Sequence, residues 1–170
     1  MIEKLESLPF KPGNLTFLPY LSGERTPHNN PNSKGVFLGL KHDHGPLEMT
    51  QAVLEGVAYA FGDCQKVLLD AGAEIRDVSL IGGGSRSRLW GRILASVLNR
   101  PLHRHQGSEL GPAQGAARLA ILATNQADLI ENCSRPEISE TLEPQSSLVS
   151  HYQEKQNQYR RIYQKIKEFF

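Results

Sequence analysis

Three consecutive glycines, Gly82, Gly83 and Gly84, follow the short apolar run Val78 to Ile81 and precede Ser85, Arg86 and Ser87. Glycine accepts positive φ and lets a backbone come close to a ligand without a side chain in the way. A helix starting near Ser87 aims its first free N–H groups at whatever lies before it, which suits a phosphate or another anion. The Ser87 hydroxyl suits a helix cap, a donor to a nucleotide, or both. Strand, glycine turn and helix thus form a candidate nucleotide cradle, with Gly82, Gly83, Gly84 and Ser87 as its binding residues. The same pattern also serves as a plain strand-to-helix turn.

Two named loops are testable against this segment. A Walker A loop requires a lysine followed by Ser or Thr after its last glycine, and none is present. A dinucleotide-binding turn needs Gly-x-Gly-x-x-Gly and an acidic residue about 20 positions on. Gly82 and Gly84 fit, but Ser87 replaces the third glycine, and Leu102, His103, Arg104 and His105 carry no carboxylate. An NADP-type site, suggested by His103 and Arg104, is the weaker alternative.

Other residues also have types and spacings that could do chemistry. The pairs His42/His44 and His103/His105 have strand spacing that puts two rings on one side, yet no cysteine or carboxylate cluster accompanies them. Glu48 and Glu55, seven apart on a helix, read as a solvated or packing face rather than an acid–base pair. Glu24 and Arg25 sit in a turn-rich loop, where either a cleft-facing role or ordinary loop polarity fits. Arg86, Arg88, Arg92, Arg100 and Arg104 make a locally basic stretch beside the glycines, suited to holding phosphate or, for most of them, simply facing solvent. Trp90 reads as core rather than an adenine platform.

The elements that must hold these residues alternate between strand and helix patterns. Leu15 to Leu21 contains Pro19 and reads as an edge strand or extended loop; Val36 to Leu40 is a short strand. Pro46 opens a long helix with Leu47, Val53, Val57, Phe61, Val67 and Leu68 near one face, stopped at Gly72. Val78 to Ile81 is a strand, Arg88 to Asn99 a helix with Leu89, Ile93 and Val97 four apart, and Leu102 to His105 another strand. A helix from Pro112 carries Ala116, Leu119, Ala120 and Ala123, and His151 to Phe170 is an aromatic amphipathic helix, a packing face for this core or for another lobe. The organisation expected is a lead-in at 1–14, a lobe at 15–124, an irregular acidic connection at 125–150 and the last helix at 151–170. The class is α/β, with too few strands to complete a sheet.

The chain has 170 residues, 39% hydrophobic and 22% charged, and a net charge of +1. This composition fits a globular protein and gives no broad basic footprint for nucleic acid. No run approaches membrane-spanning length, and Cys64 and Cys133 read as reduced thiols, so a cytoplasmic protein is expected.

Several segments together resemble one family. Gly35-Val36-Phe37-Leu38-Gly39-Leu40, followed after seven residues by Glu48-Met49-x-x-Ala52-Val53-Leu54-Glu55, is similar to a signature of the FGGY carbohydrate kinases. Phe17 to His28, Leu80 to Ser87 and Leu110 to Ala120 resemble, in order, segments of the xylulokinase members. The resemblance implies an actin-like fold of two ribonuclease-H-like lobes, of which this chain is part of the second, with a mixed sheet and flanking helices. It implies ATP and Mg²⁺ as cofactors and a phosphotransfer to an alcohol group, that of D-xylulose. It places Gly82 to Gly84 on the adenosine side and Ser87 at a polar nucleotide contact. The family's aspartate base lies in the other lobe, and none of Asp43, Asp63, Asp70 or Asp77 matches its motif. No catalytic or metal residue is therefore expected here. A sugar-binding N-terminal lobe, in the same or a separate chain, is the expected partner, with homo-oligomerisation through exposed edges as another outcome. A non-catalytic nucleotide-binding or interaction module is the alternative expectation.

Overall fold

The computed structural model describes residues 1–125 and 133–170. Its elements run α1 (Ile2–Glu6), β1 (Thr16–Pro19), β2 (Gly35–Leu38), α2 (Pro46–Asp70), α3 (Arg88–Leu98), β3 (Leu102–His105), α4 (Pro112–Asn125), β4 (Ile138–Leu142) and α5 (Ser146–Ile166). Single 3₁₀ turns stand at Gly83–Arg86, Ser108–Leu110 and Lys167–Phe169.

Strands β1 and β2 form an antiparallel pair with Phe17 opposite Phe37 and Leu18 opposite Val36. The α2 helix lies on β1 so closely that a Cβ at Gly56 would stand 2.2 Å from the Phe17 carbonyl oxygen. Only glycine permits that approach. Strands β3 and β4 form a second antiparallel pair, with a register shift between Arg104 and His105. On the far side of β3, Ser79 makes one parallel bridge to His103. The arrangement is α/β: two separate two-stranded antiparallel sheets, with one parallel bridge beside β3, packed with helices.

The core gathers around α3. Leu89, Ile93, Leu94, Ala95, Val97 and Leu98 are buried there, in the company of Leu18, Leu80, Leu102 and Leu142. The last helix closes this core: Tyr152, Tyr159 and Tyr163 are 1%, 0% and 2% exposed. Its aromatic face therefore packs inside this unit rather than waiting for another lobe. Tyr159 Oη donates to Tyr20 Oη at 2.8 Å, the His28 ring stacks on Tyr163 at 3.6 Å, and Asn30 Nδ2 donates to Tyr163 Oη at 3.2 Å.

Several sequence expectations are corrected. The core-facing side of α2 carries Ala52, Gly56, Ala58, Tyr59 and Gly62, whereas Phe61 and Leu68 are each 52% exposed. Small residues face inward because the helix packs tightly on β1 and α5, so the larger apolar side chains cannot mark the buried face. Val78 to Ile81 makes one isolated parallel bridge, Ser79 to His103, rather than a full strand. The segment expected to be irregular contains β4 and the start of α5, which begins at Ser146 rather than His151. Part of it, 126–132, lies outside the described residues.

Candidate functional site

At the glycine loop, Gly82 takes φ +81° and ψ −174°. That combination belongs essentially to glycine, because a Cβ would crowd the backbone. Its N–H donates to the Ser108 carbonyl at 2.7 Å, and Ser85 N–H returns to the Gly82 carbonyl at 3.0 Å. Gly83 then opens the 3₁₀ turn, and a Cβ built on it would meet nothing within 4 Å. A Cβ on Gly84 would come within 3.1 Å of the Trp90 ring.

A second glycine turn meets the first. Gly111, at φ +53°, lies so near Gly82 that a Cβ on it would stand 3.3 Å from the Gly82 Cα. The two segments Leu80 to Ser87 and Leu110 to Ala120, separated in sequence, are thus joined backbone to backbone. The glycine loop faces a cleft of about 390 Å³, lined among others by Ile2, Glu6, Gly83, Gly84, Arg86 and Trp90. A cleft of this size falls in the range of small-molecule sites.

Ser87 caps α3: its Oγ accepts from Trp90 N–H at 3.1 Å. The same hydroxyl donates to Glu6 Oε1 at 2.7 Å, and Leu89 N–H donates to that oxygen at 3.0 Å. These bonds hold the Glu6 carboxyl below its ordinary range, the Ser87 hydrogen bond being the main cause. An anionic group at a helix N-terminus is favoured by the free N–H groups there. Sequence reasoning missed Glu6, which sits in the expected lead-in 81 residues before Ser87. The same short helix α1 also buries Leu5 in the core.

The structure sorts the remaining candidates. Of the five arginines, Arg86 lines the cleft. Arg88 and Arg104 both pair with Glu140, at 2.7 and 2.6 Å, and Arg100 donates to the Ile75 carbonyl at 3.1 Å. Trp90 is half-buried; it packs against the core, as expected, and one part of it lines the cleft. Glu24 Oε2 accepts from His28 N–H at 2.7 Å, bracing its own loop, while Arg25 is exposed.

Glu48 caps α2 by accepting from Gly45 N–H at 2.8 Å. Glu55 takes the packing alternative: it is 2% exposed, not on a solvated face. Its carboxylate accepts from Gly13 N–H at 3.0 Å, Gln51 Nε2 at 2.9 Å and Tyr152 Oη at 3.3 Å. Burial raises its pKa in spite of those bonds. It ties the segment before β1 to α2 and α5, a structural duty.

The histidines are also placed. His103 Nδ1 meets Thr141 Oγ1 at 3.0 Å, and His105 lies between Ser79 Oγ at 3.1 Å and the Pro136 carbonyl at 2.8 Å. Among the described residues no three His, Cys, Asp or Glu side chains gather as a metal site, and no helix is long and apolar enough to cross a membrane. Cys64 and Cys133 are free thiols. A larger groove of about 580 Å³ lies between α2, α3 and α5, away from the glycines. Two cations on it are already paired, Lys66 with Asp70 at 2.8 Å and Arg160 with Asp63 at 2.5 Å.

Comparison with known proteins agrees with this geometry. Residues 2–124 match the model of the C-terminal domain of the FGGY family of carbohydrate kinases. The chain is 47% identical over 151 residues to a xylulose kinase of Escherichia coli K12, covering 88% of this chain and 31% of that protein. It is 44% identical over 156 residues to a xylulose kinase of Klebsiella pneumoniae, covering 91% and 32%. A crystal structure of a xylulose kinase from Brucella ovis superposes with a TM-score of 0.85 at 41% identity, covering 99% of this chain and 35% of that one. The chain thus spans about a third of the length of the relatives it matches. With its α/β architecture and its joined glycine turns, this chain belongs to the FGGY family of carbohydrate kinases.

Proposed function

We propose that this chain forms the nucleotide-binding side of an ATP-dependent kinase that phosphorylates D-xylulose to D-xylulose 5-phosphate. The observation that carries the reading is the junction of Gly82 with Gly111, which leaves Gly83 bare at the mouth of a cleft. A backbone without side chains at that point lets the adenosine part of ATP rest on Gly82, Gly83 and Gly84. Ser87 sets the first turn of α3 on the same cleft, and its hydroxyl reaches a nucleotide on release from Glu6. The sugar assignment comes from the xylulose kinases among the relatives.

Phosphoryl transfer depends on positioning the nucleophile, metal and phosphates together. Near the glycine loop the cleft carries Glu3 and Glu6, and Glu6 is already engaged by Ser87 and Leu89. Those groups do not fit a Mg²⁺ cage, so no step is assigned to a metal here. The base and the sugar-gripping groups belong to the polypeptide that precedes this region in the relatives. The chain alone then binds nucleotide without turnover, in the cytoplasm where its substrates are found.

Calorimetric titration of the purified chain with ADP and ATP tests the first half. Saturable binding that weakens on Gly83 substitution is expected; a flat titration with both nucleotides would remove the nucleotide reading and leave an interaction module. Ketose phosphorylation by the chain alone would remove the division of labour.

A further inference from the structure

Away from the glycine cleft, a serine and a histidine stand as a nucleophile stands to its base. Ser79 Oγ lies 3.1 Å from His105 Nε2, and His105 Nδ1 lies 2.8 Å from the Pro136 carbonyl oxygen. A carbonyl can only accept, so in the neutral ring Nδ1 carries the proton and Nε2 a lone pair. The Ser79 hydroxyl is then the donor and His105 the acceptor. That direction is the one by which a base activates a hydroxyl, and a third group that orients the base completes the arrangement. Here the Pro136 carbonyl is the third group.

Local structure holds the pair. The β3–β4 register shifts between Arg104 and His105. Irregularities of this kind re-aim a side chain. Ser108 fixes the backbone at the same point, its Oγ accepting from His105 N–H and donating to the His105 carbonyl, both at 2.6 Å. The bridge from Ser79 to His103 brings the serine beside β3. His105 is only 8% exposed, whereas Ser79 is exposed, so the base is sheltered and the hydroxyl reachable.

Both residues line a cavity of about 220 Å³, with Gln114, Arg118 and Arg135 on its other walls. That is smaller than the sites of drug-sized ligands and suits a short acyl group. Arg135 is paired with Asp77 at 3.0 Å; Arg118 donates to the Ser134 carbonyl, an uncharged partner, at 3.1 Å. Positive charge on the wall favours an oxyanion formed beside it.

We propose that Ser79, with His105 as its general base, is the nucleophile of an acyl-transfer site for short-chain carboxylic esters, separate from the phosphoryl transfer. Ser79 Oγ attacks the ester carbonyl carbon as its proton passes to His105 Nε2, and the carbonyl electron pair moves onto oxygen. When that pair returns, the bond to the alcohol oxygen breaks, and this oxygen takes the proton from Nε2. Free alcohol and acyl-Ser79 remain. Water, giving its proton to the same nitrogen, then attacks the acyl carbon and releases the carboxylic acid, and Ser79 recovers its proton.

The test mixes the purified chain with p-nitrophenyl acetate. Release of p-nitrophenol is followed by absorbance, and the acetyl group is located by peptide mass spectrometry. Expected are saturable release, acetyl on Ser79, and a rate at least tenfold lower in Ser79→Ala, whose exposed position keeps the fold intact. His105→Gln, read with its melting curve, should slow acetylation of Ser79 by about a hundredfold, the low end of what a general base contributes. Where that variant does not fold, a comparison within the parent decides. Ser7 donates to the Lys4 carbonyl at 2.8 Å and has no base, so Ser79 should acetylate about a hundredfold faster than Ser7. His42→Gln, at an exposed ring, should match the parent. Acetyl on lysines or other histidines with Ser79 unmodified, equal labelling of Ser79 and Ser7, or full release by Ser79→Ala would each overturn the proposal. Neither ADP binding nor ketose phosphorylation enters these readouts, so either reading can fail while the other stands.

Discussion

Replacing Gly82 and Gly83 by alanine, one at a time, separates backbone strain from ligand contact. The two positions are neighbours, and a Cβ on either meets no atom within 4 Å, so neither substitution clashes in the free chain. They differ in backbone: Gly82 lies at φ +81° and ψ −174°, whereas Gly83 is outside the positive-φ set and starts a 3₁₀ turn. Forcing alanine into the glycine-only region costs about 1–3 kcal/mol. At Gly83 the methyl restricts the unfolded chain instead and contributes about 0.4–1 kcal/mol of stability. For a domain of this size each kcal/mol moves the melting temperature by roughly 2–4 °C. Taking about 2 kcal/mol and 3 °C, Gly82→Ala should melt about 6 °C below the parent, and Gly83→Ala about 2 °C above it. Thermal melts followed by circular dichroism read this directly. Titration with ADP then inverts the order of damage: the Gly83 methyl fills the space a nucleotide needs and should weaken binding by about tenfold, or 1.4 kcal/mol. Equal melting temperatures for the two variants would refute the strain argument. Unchanged ADP affinity in Gly83→Ala would refute the cradle.

Two further outcomes follow from the buried carboxylates. Because burial raises the Glu55 pKa in the folded chain, its contribution is fully present below the unfolded value near 4.5 and is lost as pH rises through the raised value. Glu55→Gln keeps an acceptor for Gly13 N–H, so its melting temperature should gain on the parent between pH 4.5 and 7; parallel curves would refute the assignment. Asp63 is 3% exposed and takes Arg160 Nε and Gln156 Nε2 on one oxygen. Arg160→Ala should therefore cost about 3 kcal/mol in urea denaturation, and adding Asp63→Asn should recover part of it. A loss within about 0.5 kcal/mol, the size of an ordinary surface change, would show that the pair is not needed.

The glycine loop was legible because its requirement is local: three glycines before a capping serine determine where the backbone turns and the helix starts. The two antiparallel pairs were less so. β1, β2 and β3 carry recognisable apolar or alternating runs, whereas β4 reads Ile-Ser-Glu-Thr-Leu and buries Leu142 alone. Polar character hid it among acidic residues. The buried face of α2 was misread for the opposite reason, since alanine and glycine mark close packing while Phe61 and Leu68 draw the eye to the wrong side. Glu6 was missed, and the burial of Glu55 left undecided, because their partners lie far off in sequence: Ser87 for one, Gly13 and Tyr152 for the other. No periodicity connects such pairs; only the folded chain does.

The tyrosines of α5 fasten residues far back along the sequence. Tyr159 reaches Tyr20 across 139 positions, and Tyr163 reaches Asn30 across 133. Contacts of that span form late, since the loop between them must close first. During synthesis the β1–β2 hairpin and the turn-rich loop at 22–34 therefore wait, half-covered, until Tyr163 has emerged. A ribosome stalled even a few codons earlier would release a product with an open core, a natural substrate for chaperones and proteases.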